Sequence, residues 1–221
     1  MIKFNRVFKI YEENIKALDD VSFGVKPGEF LFITGPSGAG KSTVLRLLYR
    51  EEVPDMGTIM VNDTDISHIA GRKVPFYRRE IGFVFQDFKL LFDRSVYENI
   101  ALPLIITKAN KEYIAKAVPE MIKRIGLTGR EHLTPWHISG GEKQKVAIAR
   151  AMMLAPPLFI ADEPTGNLDD YSTWEIMEIF TEMNRKGTTI ILATHDREIL
   201  RKLKGRVLKL DKGRVAGDEM G

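Results

Sequence analysis

Apolar and polar positions alternate with a period of two through the first forty residues, the spacing of strands with one buried face. Ile2, Phe4 and Val7 begin one such segment, Leu18 to Val25 forms a second, and Phe30 to Thr34 is a short apolar run bounded by glycines. Val44 to Tyr49 reads as a helix, and Thr58 to Val61 and Ile81 to Phe85 as further short strands. From about Phe88 to Ala155 the spacing becomes helical. Lys111 to Ile125 is amphipathic with Gly126 as its C-terminal stop, and a second helix covers about Lys143 to Leu154. Strand character returns at Leu158 to Ala161, Thr188 to Ala193 and Arg206 to Leu210, with a helix between at Ser172 to Arg185. Alternating strands and helices at both ends predict an α/β fold with a mainly parallel sheet, and the middle reads as a helical insertion. Asp218 to Gly221 is expected to be a frayed tail.

Composition narrows the chemistry. The chain has 33 Lys+Arg against 30 Asp+Glu, a net charge of only +3, which excludes a polybasic electrostatic binder. Zero cysteines exclude a disulfide framework, a thiolate metal site and a cysteine nucleophile. The first residues are charged too early and apolar too briefly for a signal peptide. The longest apolar stretches, such as Ile100 to Ile106, fall short of the roughly 20 residues that span a bilayer. The expectation is a chain soluble by itself.

Gly35-Pro36-Ser37-Gly38-Ala39-Gly40-Lys41-Ser42, followed by Thr43, fits the pattern of a phosphate-binding loop. It follows a predicted strand and opens a predicted helix. Glycines let backbone N–H groups turn inward around a phosphate, and the helix N-terminus adds partial positive charge. Lys41 is expected to reach the β- and γ-phosphates and Ser42 to ligate Mg²⁺. A second constellation is Leu158 to Glu163, an apolar strand ending in two acids, where α/β ligand sites form. Asp162 suits the Mg²⁺ shell; Glu163 suits a base or orienting group for water. Ile138-Ser139-Gly140-Gly141-Glu142 precedes a helix, with Ser139 as its cap.

In chain order, the phosphate loop, Gln86, Ile138 to Glu142, Asp162-Glu163, Asn167-Leu168-Asp169 and His195 resemble the motif set of the nucleotide-binding subunits of ABC transporters, over essentially the whole chain. The resemblance implies a P-loop NTPase (ABC ATPase) core with an N-terminal antiparallel β subdomain and an inserted α-helical subdomain. Residues 1–221 then form a single ABC ATPase domain, with about 1–87 and 156–221 as nucleotide-binding core and about 88–155 as the insertion carrying the signature loop. It implies ATP and Mg²⁺ as ligands, Tyr11 as the aromatic residue stacking on adenine, and Gln86 near Mg²⁺ and the attacking water. It implies His195 as the switch histidine at the γ-phosphate and Asp169 as a dimer-interface acid. Ser139, Gly140 and Gly141 would complete the site of a second copy, in a head-to-tail homodimer that forms with nucleotide. Two departures stand out: Ile138 where the family usually has leucine, and Glu142 where many members have glutamine, adding negative charge near the nucleotide.

Pro164 to Asp169 resembles the branch holding lipoprotein-releasing, macrolide-exporting and cell-division ATPases. Val74 to Arg79, Ile81 to Asp87 and Leu90 to Asn99 resemble its cell-division members. That implies an integral membrane partner whose extracytoplasmic part activates peptidoglycan hydrolases at the septum, and a cytoplasmic chain held peripherally on the inner membrane face. The competing expectation is the motor of a lipoprotein-releasing or macrolide-exporting transporter. Chromosome and DNA-repair relatives carry long coiled coils, whereas roughly a hundred residues without sustained heptads separate Gly35 from Ser139.

Phe85, Phe88, Leu90, Leu91, Phe92 and Tyr97 cluster after Gln86 and divide between insertion core and a groove for a short helix of the partner. Arg72-Lys73 and Arg78-Arg79 read as a solvated face, with anionic lipid headgroups as an alternative contact and no nucleic acid expected. His68, His132 and His137 read as surface or capping residues, and Trp136 as packing.

Overall fold

The computed structural model describes residues 1–12, 15–166 and 168–220. Two sheets organise the chain. β1 (Ile2–Tyr11), β2 (Ile15–Val25), β4 (Met56–Val61) and β5 (Thr64–Asp65) form an antiparallel sheet in the order β2-β1-β4-β5. Its pairing follows the alternation: Ile2 and Phe4 oppose Val25 and Phe23, and the Phe4 and Phe23 rings stack at 4.5 Å.

The second sheet is six-stranded, in the order β10-β9-β3-β8-β7-β6. Its strands are β3 (Phe30–Thr34), β6 (Ile81–Val84), β7 (Leu158–Asp162), β8 (Thr189–Ala193), β9 (Arg206–Asp211) and β10 (Arg214–Met220). All pairings are parallel except β9 with β10. β3, β7 and β8 are apolar almost throughout because both faces of a parallel sheet are covered. Phe30, Phe32, Phe159 and Ala161 face one core, which includes the insertion helices. Leu31, Ile33, Leu158 and Ile160, one residue out of phase, face another, shared with the antiparallel sheet and α1 (Lys41–Leu48).

Between β4 and β6 lies the short α2 (Val74–Arg79). Between β6 and β7 lie α3 (Val96–Ile106), α4 (Lys111–Arg124) and α5 (Gly140–Met152). α3 opens with a capping box in which Ser95 and Glu98 bond reciprocally, Ser95 N donating to Glu98 at 2.8 Å. α4 is capped by Asn110, and Gly126 at φ 73° lies just past its end, as the sequence predicts. α6 (Asp170–Arg185) and α7 (Arg197–Lys202) flank β8. Among the described residues no helix is long and apolar enough to cross a membrane.

One expectation is overturned. Asp218 to Met220 is not a frayed tail but the end of β10, paired with β9. Asp218 takes two bonds from the Arg206 guanidinium, one of 2.6 Å, while Arg206 also donates to the Gly24 carbonyl at 2.6 Å and to Glu29 at 3.0 Å. The strand is polar because it is an edge, so its periodicity is faint. Gly221 lies outside the described residues. α5 also begins three residues earlier than its apolar spacing suggests, because Gly140 and Gly141 form its first turn behind the Ser139 cap.

Candidate active site

β3 delivers the chain into the loop Gly35–Gly40, and α1 carries it away. Gly35 sits at φ 150°, and a Cβ there would lie 2.2 Å from the Leu210 carbonyl oxygen; Gly40 sits at φ 102°, where a Cβ would lie 2.6 Å from that of Ala17. Only glycine lets the loop pass β9 and β2 this closely. α1 has no side-chain N-cap and no acid in its first turn, which leaves its first N–H groups and positive end for an anion. Lys41 Nζ donates to the Gly35 and Pro36 carbonyls at 2.9 and 3.1 Å, so the ammonium is held within the loop.

The loop forms one wall of a cavity of about 710 Å³. Tyr11, Gly35 to Thr43, Gln86, Glu163 and His195 all line it, along with Ile15, Lys16, Ala17 and Gly166. A smaller adjoining cavity, about 280 Å³, is lined by Ser42, Gln86 and Asp162, with Arg46, Glu51 and Lys89 among its other walls. Sequence reasoning did not single out Arg46; its i+4 spacing from Ser42 on α1 was the available signal.

β7 positions the two acids. Asp162 is its last residue and pairs with Ala193 of β8. Glu163 turns into the left-handed region at φ 48°, and its N–H donates to the Ala193 carbonyl at 3.0 Å. That turn sends the two side chains to different tasks. The Glu163 carboxylate lies 2.8 Å from His195 Nδ1, and its side chain is 14% exposed against 72% for the histidine. The carboxylate is therefore enclosed and the imidazole is exposed.

Asp162 is the candidate metal ligand, and its surroundings fit a divalent cation. One carboxylate oxygen, Oδ1, is buried without a hydrogen-bond partner. Burial raises the Asp162 pKa, Glu163 adds to the rise, and the Ser42 hydroxyl, Arg46 and Lys41 oppose it. A cation beside Ser42 and Asp162 would remove the cost of that buried charge. No group of three or more His, Asp or Glu side chains converges among the described residues. A magnesium ion needs no such cage when substrate phosphates and water supply the other ligands.

Tyr11 ends β1 with its hydroxyl donating to Glu52 at 2.6 Å. Burial, and next the Glu52 hydrogen bond, push its pKa up. The ring thus stands fixed at the cavity edge.

Ser139, Gly140, Gly141 and Asp169 are not in this cavity. Ser139 caps α5: its Oγ accepts from Glu142 N at 3.2 Å, and Glu142 Oε2 accepts from Ser139 N at 2.7 Å. Glu142, whose extra negative charge the sequence placed near the nucleotide, is thereby a capping partner, and Arg130 lies 3.5 Å from it. Asp169 caps α6 through Ser172 N and Oγ at 2.9 and 2.8 Å, which hold its carboxyl below the usual range. A Cβ on Gly141 would lie 2.9 Å from Ser172 Oγ, so the starts of α5 and α6 abut. Ser139, Gly140 and Asp169 are exposed together there. Asn167 lies outside the described residues.

The aromatic cluster divides differently from expectation. Leu90 is buried, and Phe88, Phe92 and Tyr97 pack against the insertion core, while only Phe85 lines the apolar groove beside Gln86. That groove, about 430 Å³, is walled instead by Tyr49, Pro75, Phe83, Leu102, Pro103 and Ile106, with Arg78, Arg79, Lys89 and Arg150 also lining it. Arg78 is no solvated charge: its guanidinium covers the Tyr49 ring at 4.8 Å and donates to the Tyr49 and Arg50 carbonyls. Trp136 is 71% exposed, with the Phe92 ring centroid 4.6 Å from its own.

Replacing Lys41 removes the one ammonium in the loop. Lys41→Ala is expected to weaken ATP binding about 10- to 100-fold, the loss of a charged hydrogen bond worth roughly 1.5–3 kcal/mol. Titration calorimetry checks this, and unchanged affinity would remove the phosphate role given to Lys41.

Comparison with known proteins matches residues 18–166 to the ABC transporter family model. The chain is 44% identical over 219 residues to the cell division ATP-binding protein FtsE of Bacillus subtilis, covering 99% of this chain and 96% of that one. It is 45% identical over 217 residues to FtsE of Escherichia coli K12, covering 98% of each. Among solved structures, a dimeric ATP-binding cassette in a post-hydrolysis state, bound to ADP and Pi, superposes with a TM-score of 0.93 at 36% identity, covering 100% of this chain and 98% of that one.

Proposed function

The chain belongs to the ABC transporter family and is an ATP-binding ATPase of the cell-division type, and from that premise we propose that it is a mechanical motor that moves no solute. Its partner in this reading is the integral membrane protein FtsX, whose extracytoplasmic part regulates peptidoglycan hydrolysis at the septum. The chain is then cytoplasmic and held on the inner membrane face by that partner. Residues 1–87 and 156–221 act as the nucleotide-binding core, and 88–155 as the insertion that carries Ser139.

One observation carries the catalytic part. The phosphate loop, Gln86, Glu163 and His195 surround one cavity, while the Ser139 helix start is exposed elsewhere on the same chain. Loop N–H groups and Lys41 would take the phosphates, with Tyr11 against the base. Ser42 and Asp162, with Gln86 beside them, would hold Mg²⁺, which when bound neutralises charge on the β- and γ-phosphates. Glu163 accepts the proton of the attacking water, and His195, bonded to that carboxylate, keeps it oriented and reaches the γ-phosphate. Ser139, Gly140 and Gly141 of a second copy complete the site, since a helix N-terminus favours the negative charge of a γ-phosphate. Asp169 borders the same face. The dimeric state of the matched cassette supports this arrangement.

The groove before Gln86 suits a short amphipathic helix of FtsX. Co-purification of the chain from native membranes, with ATPase assay of the complex, tests partner and activity together. Recovery of FtsX with ATP turnover is the expected result; recovery of a lipoprotein-extracting permease instead would replace this reading with a transporter motor.

A further inference from the structure

Arg150 lies near the end of α5, eleven residues after the Ser139 cap, and its half-buried guanidinium donates to backbone carbonyls. Its guanidinium donates to the Phe88 carbonyl at 2.8 Å and to the Lys89 carbonyl at 2.7 Å, and burial lowers its pKa against the opposing influence of Tyr49. Phe88 and Lys89 sit at φ 61° and 46°, a left-handed conformation that side chains with a Cβ resist. Phe88 N donates to Phe85 O at 3.1 Å and Lys89 N to Asp87 O at 2.7 Å. Residues 85–89 are therefore a tight, uphill turn around Gln86, held by the Arg150 guanidinium at two carbonyls and by Lys89 Nζ on the Asp87 carboxylate at 2.7 Å.

The same end of α5 is seated on β6. A Cβ at Gly82 would lie 2.9 Å from the Ala151 carbonyl and 2.5 Å from the Phe159 ring, so helix and strand touch without a side chain between them. The strand that leads to Gln86 and the turn that follows it are thus both tied to one turn of α5.

We propose that Arg150 is a positioning residue for Gln86, holding the 85–89 turn in the geometry that turnover requires. The proposal rests on the role given to Gln86 above. It predicts a loss in rate and not in nucleotide affinity, because Arg150 does not line the nucleotide cavity.

In the full-length chain, Arg150→Ala should lower kcat by about 100-fold, the size of an ångström-scale misplacement, with the KM for ATP within about twofold of wild type. Arg150→Lys should recover part of the rate, since an ammonium keeps the charge and can bond carbonyls but lacks the planar, rigid fork of the guanidinium. Millimolar guanidinium should restore part of the Arg150→Ala rate. A kcat that falls less than twofold, or a KM that rises in step, would overturn the proposal. Hydrogen exchange on Arg150→Lys covers a failure of the alanine variant to fold: faster exchange confined to residues 86–90 supports the pin, and unchanged or chain-wide exchange refutes it. Gln86→Ala separates the two claims. If it retains wild-type kcat, the reading of Gln86 fails; if it is slow while the Arg150 variants are not, only the pin fails.

Discussion

Glu163→Gln should lower ATP turnover by about 100- to 10,000-fold, the contribution of a placed general base, while leaving ATP binding in place. The amide keeps the shape of the side chain and its reach to His195, but it cannot accept a proton. The phosphate loop and Lys41 make no hydrogen bond to Glu163, so the charges that hold the nucleotide are untouched. Turnover and affinity therefore separate, and single-turnover kinetics beside calorimetry measure both. Wild-type hydrolysis by Glu163→Gln would take the base role away from that acid.

Ser139→Arg should abolish ATP-driven dimerisation and bring steady-state turnover to background, with each monomer still binding ATP. Within one chain Ser139 does no more than cap α5, and loss of a cap costs about 1 kcal/mol. The side chain is exposed, so the larger residue fits the isolated monomer. Only if a second copy seats its phosphate against this helix start does the arginine obstruct anything. ATP titration of the variant should match wild type, while its sedimentation should be unmoved by ATP. Unchanged ATP-driven dimerisation would remove the shared-site arrangement.

The phosphate loop was legible in the sequence because each of its positions answers a demand that one residue type meets. Gly35 and Gly40 leave no room for a Cβ, and Lys41 and Ser42 follow where β3 gives way to α1. The buried strands β3, β7 and β8 were equally plain, since unbroken apolar runs of that length bounded by turn residues have few other uses. Side-chain partners across long separations were not legible. The Arg206 bond to Asp218, which ties β10 to β9, ends on a residue whose own neighbourhood is polar and shows no strand period. Trp136 looked like packing by its chemistry, yet it is 71% exposed with the Phe92 ring beside it. The second task of Glu142, closing the capping box with Ser139, was not legible from the charge it adds to the signature loop. Arg150 gave no signal in the sequence, since the carbonyls it holds belong to residues some sixty positions away.

The proposed site is complete only with two copies of this chain. Sedimentation velocity of Glu163→Gln with Mg²⁺, with and without ATP, tests it most directly, because blocked turnover keeps any closed state from decaying. The mass of a monomer without ATP and of a dimer with it is the predicted result, and the Glu163→Gln, Ser139→Arg double variant should stay monomeric in both. A single chain that binds ATP yet keeps its monomer mass would contradict the account.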